Sequence, residues 1–195
     1  MQPIIKRFFD ILFASSALVF FFGLVLLAWL LAVIDTQTNG IFTQIRIGQY
    51  GKPFKIYKLR TMPAGQNSET LLPSKFGQFL RNFKLDELPQ FINVLKGEMS
   101  IVGPRPDIVG YYDLLEGENR KILELKPGLT SIASLKYYDE HVLLNKQVNP
   151  LDFNDNVIFP DKIKINLEYY EHQNFYYDLK IIIATCKSIF KRIKF

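Results

Sequence analysis

No charged residue occurs between positions 11 and 34, where nearly every side chain is Leu, Val, Ile, Phe, Ala or Trp. At about 1.5 Å per residue this run makes a helix roughly 36 Å long, enough to cross a hydrocarbon core of about 30 Å. A buried helix of a water-soluble core is the bland alternative, but an uninterrupted run of this length normally means membrane. A cleaved signal peptide is not expected, because its apolar region usually spans only ~7–15 residues. Lys6 and Arg7 precede the run, and Arg46, Lys52, Lys55, Lys58 and Arg60 follow it. Basic flanks favour the cytoplasmic side of a membrane. A straight span can satisfy only one of these flanks, whereas a helix that bends and returns to the same face satisfies both. Phe22-Gly23 lies at the centre of the run, and Ser15 and Ser16 could partner backbone groups freed by a bend. On the residues alone both topologies stay open.

The charge is as uneven as the hydropathy. The chain carries +5, and residues 180–195 hold five bases (Lys180, Lys187, Lys191, Arg192, Lys194) with no acid, so the rest cancels. A short basic stretch beside apolar residues suits an anionic membrane surface. A nucleic-acid binder would carry a basic face on the body of its domain, so no nucleic-acid partner is expected. With 48% hydrophobic residues the chain is neither disordered nor fibrous. A single cysteine, Cys186, excludes an internal disulfide, and with only His141 and His172 beside it a Cys/His zinc site is not expected.

Residues 41–47 and 54–61 read as short strands around a turn at 48–51, and 64–74 as a polar loop. Phe76, Phe79, Leu80 and Phe83 follow helical spacing, which predicts an amphipathic helix over 75–83. Its aromatic face lies on the bilayer or packs on the core. A short helix is expected over 87–96, stopped by Gly97, and irregular chain around Pro104 and Pro106. Further helices are expected over 108–115, 118–125, 161–172 and 175–193. In the last, Leu179, Ile182, Ile183, Cys186, Phe190 and Ile193 share a face opposite most of the lysines, an interfacial pattern. The expected fold is α-rich α+β. A membrane-embedded segment, 1–35, precedes a small, mostly helical domain, 36–195, with a short β element and interfacial amphipathic helices.

Three stretches could carry chemistry. Asp86-Glu87 suits an ordinary helix start, with Asp86 as N-cap and Glu87 at the positive end of the dipole. An ionised Asp can also attack phosphorus while its neighbour holds a metal. Arg105, between Pro104 and Pro106, is a guanidinium on a stiffened backbone, and its planar fork of donors matches a phosphate, although a solvated surface turn has the same composition. Lys58 and Arg60 share one face of an extended segment, about 7 Å apart, a spacing that suits a diphosphate. An exposed basic strand end would look the same. No Gly-x-Gly-x-x-Gly, Walker loop or His-Glu-x-x-His occurs. The cation suited to a carboxylate and phosphate site is Mg²⁺.

Taken in order, several strings are distinctive. They are Lys6 to Asp10, Phe54 to Met62, Leu85-Asp86-Glu87-Leu88-Pro89-Gln90, Asn93 to Ser100, Val102 to Pro106, Lys126 to Thr130 and Tyr177 to Lys180. The ordered set resembles the bacterial sugar transferase family, the small monotopic phosphoglycosyl transferases, over essentially the whole chain. The resemblance implies transfer of a sugar 1-phosphate from a UDP-sugar to a polyprenyl phosphate such as undecaprenyl phosphate, with release of UMP. It implies Mg²⁺, the lipid bilayer as a partner, and a catalytic domain on the cytoplasmic face of the bacterial inner membrane. By match, Asp86 is the nucleophile that forms a covalent phosphosugar intermediate, and Glu87 is a metal ligand or positioning carboxylate, with Asp86 also available to the metal. Arg105 binds phosphate, with Lys58, Arg60, Arg81 and Asp178 as further substrate-binding candidates. The family's helix is a re-entrant hairpin with Ser-Pro at its bend. Here the matching place is Phe22-Gly23, without the proline. After Thr130 the chain reads Ser131-Ile132-Ala133-Ser134-Leu135 instead of a Gly-Trp-Ala-Gln string, in a region that could shape nucleotide or sugar choice. Two other readings remain: a non-catalytic membrane-anchored adaptor with a polybasic tail, and a bitopic protein of the same chemistry.

Overall fold

The apolar run forms the middle of one helix, α1 (Pro3–Thr36), in the computed structural model, which describes residues 3–63 and 72–193. The backbone stays helical through Phe22 and Gly23, so a bend there has to be a curve within the helix and not a break in it. Without a proline, each amide in this stretch keeps its helical acceptor. A methyl group added at Gly23 would meet nothing within 4 Å, so packing does not demand glycine there. Asp10, Ala14, Ala28, Ala32 and Thr36 are buried along one stripe of α1. The three alanines let the helix backbone approach closely. Phe8, Val19, Phe20 and Phe22 point outward and have no protein cover.

Both ends of α1 are fastened to the chain that follows. Arg7 donates to the carbonyls of Val94 (2.6 Å) and Leu95 (2.9 Å). Asp10 accepts from the Ser100 hydroxyl (3.1 Å) and the Ile101 amide (3.0 Å). At the far end Ser74 donates its hydroxyl to Asp35 at 2.5 Å. Ala14 joins a core with Ile56, Val94, Met99 and Ile101, while Ala28 packs with Leu59 and Leu80.

After α1 comes an antiparallel hairpin of β1 (Ile41–Ile47) and β2 (Pro53–Leu59), with Ile41 opposite Leu59 and Ile47 opposite Pro53. Its tight turn places Tyr50 at φ 58° and Gly51 at φ 73°. The amphipathic pattern is realised as α2 (Lys75–Asn82), capped by the Ser74 hydroxyl, which accepts from the Gly77 amide at 2.8 Å. Phe76 packs with Trp29 and Leu80, whereas Phe79 is half exposed. The helix expected over 87–96 begins instead as a 3-10 turn, Leu85–Gln90, and becomes α-helical only in α3 (Phe91–Lys96). Pro89 explains the change, because it lacks an amide hydrogen and disfavours the α conformation of the residue before it.

A second sheet was not foreseen. β3 (Ser100–Val102) runs parallel to β4 (Gly128–Thr130). At three residues each, the strands are too short for a periodic signal. The helix expected over 108–115 shrinks to a 3-10 turn, Tyr112–Leu114, and the one expected over 118–125 forms as 3-10 helix, Gly117–Glu124. Gly110 (φ 100°) adopts left-handed backbone ahead of the first, and Gly117 (φ 55°) at the start of the second. The remaining helices are α4 (Ile132–Lys136), α5 (Glu140–Leu144), α6 (Pro150–Phe153), α7 (Phe159–His172) and α8 (Phe175–Ile193). Most of the polar loop at 64–74, and the tail positions 194 and 195, lie outside the described residues.

Candidate active site

The chain leaving α2 turns sharply at Lys84, whose φ of 56° is left-handed, and enters the 3-10 turn that carries Asp86 and Glu87. The position before the turn therefore belongs to Lys84, and Asp86 makes no capping hydrogen bond. That corrects the reading of Asp86 as an N-cap. Both carboxylates are buried, at 6% and 8% exposure.

Opposite them lies the loop with Arg105, pinned at both ends. On one side the Gly103 amide donates to the Thr130 carbonyl at 3.0 Å, and the Gly128 amide to the Pro104 carbonyl at 2.8 Å. The crossing is so close that a Cβ on Gly103 would stand 2.2 Å from the Lys126 carbonyl oxygen, and one on Gly128 2.1 Å from the Gly103 nitrogen. On the other side the Ile47 amide at the end of β1 donates to the Asp107 carbonyl at 2.9 Å. Pro104 and Pro106 fix the span between these clamps.

The result is a fork-to-fork ion pair. Arg105 donates through Nη1 to Glu87 Oε2 (3.2 Å) and through Nη2 to Oε1 (2.5 Å). Lys58, projecting from β2, donates to the same Oε1 at 3.0 Å. Asn93, fully buried, holds β2 against α3 by accepting from the Tyr57 amide and donating to the Lys55 carbonyl.

Glu87 and Asp86 are thus treated differently. Burial alone would raise the Glu87 carboxyl, but the charges of Arg105 and Lys58 and the Arg105 hydrogen bond outweigh it and hold the group well below the usual carboxylate range. Burial, and next the negative charge of Glu87, push Asp86 up to about 6. Its Oδ1 is buried with no hydrogen-bond partner. Burial also lowers Lys58, against the opposing pull of Glu87. Asp86 is thus a buried carboxylate with one oxygen unpartnered, beside an anion that is already neutralised, an environment of the kind that marks a candidate functional group.

The structure gathers Asp86, Glu87, Lys58 and Arg105 as expected. Arg81 acts electrostatically on Asp86 while donating to the Thr61 hydroxyl at 2.8 Å. Two expected members are bonded elsewhere. Arg60 lies past the end of β2 and turns back to the carbonyls of Asn39 (2.9 Å) and Ile41 (3.5 Å), with Phe42 beneath it. Asp178, on α8, pairs with Lys6 of α1 at 2.5 Å and accepts from the Tyr169 hydroxyl at 2.6 Å. Those bonds tie α1, α7 and α8 together. Two cations were not anticipated. Lys84 acts on both carboxylates. Arg46 on β1 reaches the Pro106 carbonyl and lies 3.8 Å from Asp107. Lys84 looks like an ordinary lysine behind a helix; for Arg46 the available signal was its place two residues after Gln44, on the same strand face.

Among the described residues no group of three or more His, Cys, Asp or Glu could cage a metal. The free Asp86 Oδ1 and the unshared lone pair on Glu87 Oε2 nevertheless fit Mg²⁺, which is commonly bound by one or two carboxylates plus substrate phosphate oxygens.

With this geometry in view, comparison with known proteins is informative. The profile of a family described as bacterial sugar transferase matches residues 1–192. The chain is 32% identical to the uncharacterized sugar transferase EpsL of Bacillus subtilis (strain 168), across 95% of this chain and 87% of that protein. It is 34% identical to the UDP-glucose:undecaprenyl-phosphate glucose-1-phosphate transferase of Klebsiella pneumoniae, across 95% of this chain but 40% of that protein. It is 32% identical to the UDP-N-acetylgalactosamine-undecaprenyl-phosphate N-acetylgalactosaminephosphotransferase of Aeromonas hydrophila, across 95% of this chain and 43% of that protein. The chain therefore spans most of the first relative and about two fifths of the other two.

Proposed function

Because the chain belongs to the bacterial sugar transferase family, we propose that it moves a sugar 1-phosphate from a UDP-sugar to a polyprenyl phosphate, undecaprenyl phosphate in bacteria, and releases UMP. The observation that carries the reading is the asymmetry of the carboxylate pair. Glu87 is neutralised by Arg105 and Lys58, while Asp86 Oδ1 is buried and unpartnered. A membrane adaptor with a polybasic tail has no use for such an arrangement.

In the first step an Asp86 carboxylate oxygen bonds to the β-phosphorus, and the bond from that phosphorus to the bridging oxygen breaks. The electron pair leaves with UMP, and the sugar phosphate stays on Asp86. In the second step an oxygen of the lipid phosphate attacks the same phosphorus and frees Asp86. Neither step requires a proton, so the protein's task is in-line placement and charge neutralisation. Arg105 takes its direction from the clamped loop, Lys58 from β2, and Glu87 holds both cations in place. Mg²⁺ is part of the proposal: Asp86 and Glu87 would hold it, and it would neutralise the diphosphate.

We place the water-facing part on the cytoplasmic face of the bacterial inner membrane, with both ends of α1 on that side and Phe22–Gly23 deepest in the lipid. Supporting this are the basic flanks, the anchoring of Arg7, Asp10 and Asp35 to one body, and the outward apolar side chains between them. A UDP-sugar panel with undecaprenyl phosphate and Mg²⁺, read as UMP, tests the activity. Asp86→Asn should abolish UMP release and any phosphosugar adduct on the intact protein; full release by this variant would refute the nucleophile.

A further inference from the structure

A cavity of about 350 Å³ begins at Lys84 and Arg105, two cations that also act on the catalytic carboxylates, and extends to α4, α5 and α7. Among its lining residues Lys162 is neutralised by Glu140 at 2.7 Å, and Tyr137 and Tyr138 contribute aromatic rings, with Lys84 4.9 Å over the Tyr138 ring and Lys162 5.9 Å over that of Tyr137. Arg46 stands within the field of Arg105. Its carboxylate neighbours are Asp107, 3.8 Å away, and Glu87, which acts on it through space. Nη2 donates to Gln44 Oε1 at 2.8 Å and Nη1 to the Pro106 carbonyl at 3.5 Å, while Nε is buried with no hydrogen-bond partner. One N–H of the Arg46 fork is therefore left without a protein acceptor.

We infer that this cavity holds the nucleoside half of the donor and that Arg46 binds the α-phosphate of the departing UMP, an assignment that rests on the transfer reaction proposed above. The alternative occupant is the transferred sugar, and charge separates the two. The phosphate that carries the sugar is the one bonded to Asp86, so a sugar in the cavity would leave Arg46 facing neutral hydroxyls. The nucleotide half brings its own anion. As the bond to the bridging oxygen breaks, the α-phosphate passes from one negative charge to two. A guanidinium fixed at that point stabilises charge as it develops, so it lowers the barrier as well as binding substrate. The tyrosines then offer a stacking surface to the pyrimidine, and stacking of this kind tolerates several ring types.

Wild-type protein irradiated with 4-thiouridine 5′-monophosphate should crosslink within residues 131–144; crosslinks confined to other segments would overturn the assignment. In parallel, UMP and uridine affinities are measured in Asp86→Asn protein with and without Arg46→Gln. Loss of a charge-assisted phosphate contact should weaken UMP by about tenfold or more and uridine by less than about twofold. Unchanged UMP affinity, or a loss seen for a hexose 1-phosphate competitor and not for UMP, overturns the role of Arg46. If the glutamine variant does not fold, Arg46→Lys serves, because a point charge replaces the fork: UMP should weaken by roughly threefold or more with uridine unaffected, and no change refutes the role. Failure of the underlying reaction would show separately, as UMP release from UDP-sugar by the Asp86→Asn protein.

Discussion

Asp86 is ionised at a cost to the fold. Its carboxyl is raised from 3.8 to about 6, so it binds a proton more tightly in the folded chain than in the unfolded one. Well below pH 3.8 it is protonated in both states, and its burial carries no ionisation penalty. As pH rises through 6 the penalty becomes complete, on the order of 3 kcal/mol. Asp86→Asn should therefore raise the thermal midpoint by several degrees at about pH 7.5 and by nearly nothing at about pH 3, while abolishing turnover; calorimetry at the two pH values checks the sign. Glu87 behaves in the opposite way. Glu87→Gln strips the shared anion from Lys58 and Arg105, and breaking a buried pair costs about 3–5 kcal/mol. Adding Lys58→Met should recover part of that stability without restoring activity. Denaturant midpoints of the single and double variants decide the matter, and no recovery would mean that Lys58 is not the group left exposed to the loss.

At the scale of elements, the site depends on two backbones that cross without side chains between them. Gly103→Ala drives a methyl into the Lys126 carbonyl, so either β3 and β4 separate or the Arg105 loop shifts. Either outcome should remove most UMP release and lower the thermal midpoint. Gly23→Ala makes the contrast: nothing lies within 4 Å, so the variant should keep its activity and gain up to about 1 kcal/mol of helix stability. These two glycines also show what a sequence discloses. The long apolar helix was legible from its uninterrupted apolar run, and α2 and α8 from apolar residues at helical spacing. Asp86, Glu87, Lys58 and Arg105 were legible as residues, through the ordered strings around them. The parallel β3–β4 pair was not, because three-residue strands carry no period and their pairing is a contact between distant segments. Nor was the 3-10 geometry around Pro89, which depends on Lys84 taking a left-handed turn that no lysine advertises. Arg60 was misplaced for a related reason: alternation holds only within a strand, and β2 ends at Leu59.

At the scale of the whole molecule, α1 belongs to the core as well as presenting an apolar outer face. Lys6, Tyr169 and Asp178 join the first and last helices, away from the bonds that Asp86, Glu87 and Arg105 make. Asp178→Asn should consequently lower the thermal midpoint in detergent while leaving the turnover of the folded fraction close to wild type; a large loss of kcat at unchanged stability would restore it to the substrate-binding set. Cysteines placed at positions 2 and 38 of a Cys186→Ser protein should react with a membrane-impermeant reagent only after the cytoplasmic side is opened, and opposite accessibility of the two would establish a straight span. The docking of α1 also sets an order of events during synthesis. Arg7, Asp10 and Lys6 are translated well before their partners Leu95, Ile101 and Asp178. Those polar groups of α1 must therefore go without their protein partners until the later segments arrive, Asp178 of α8 last among them.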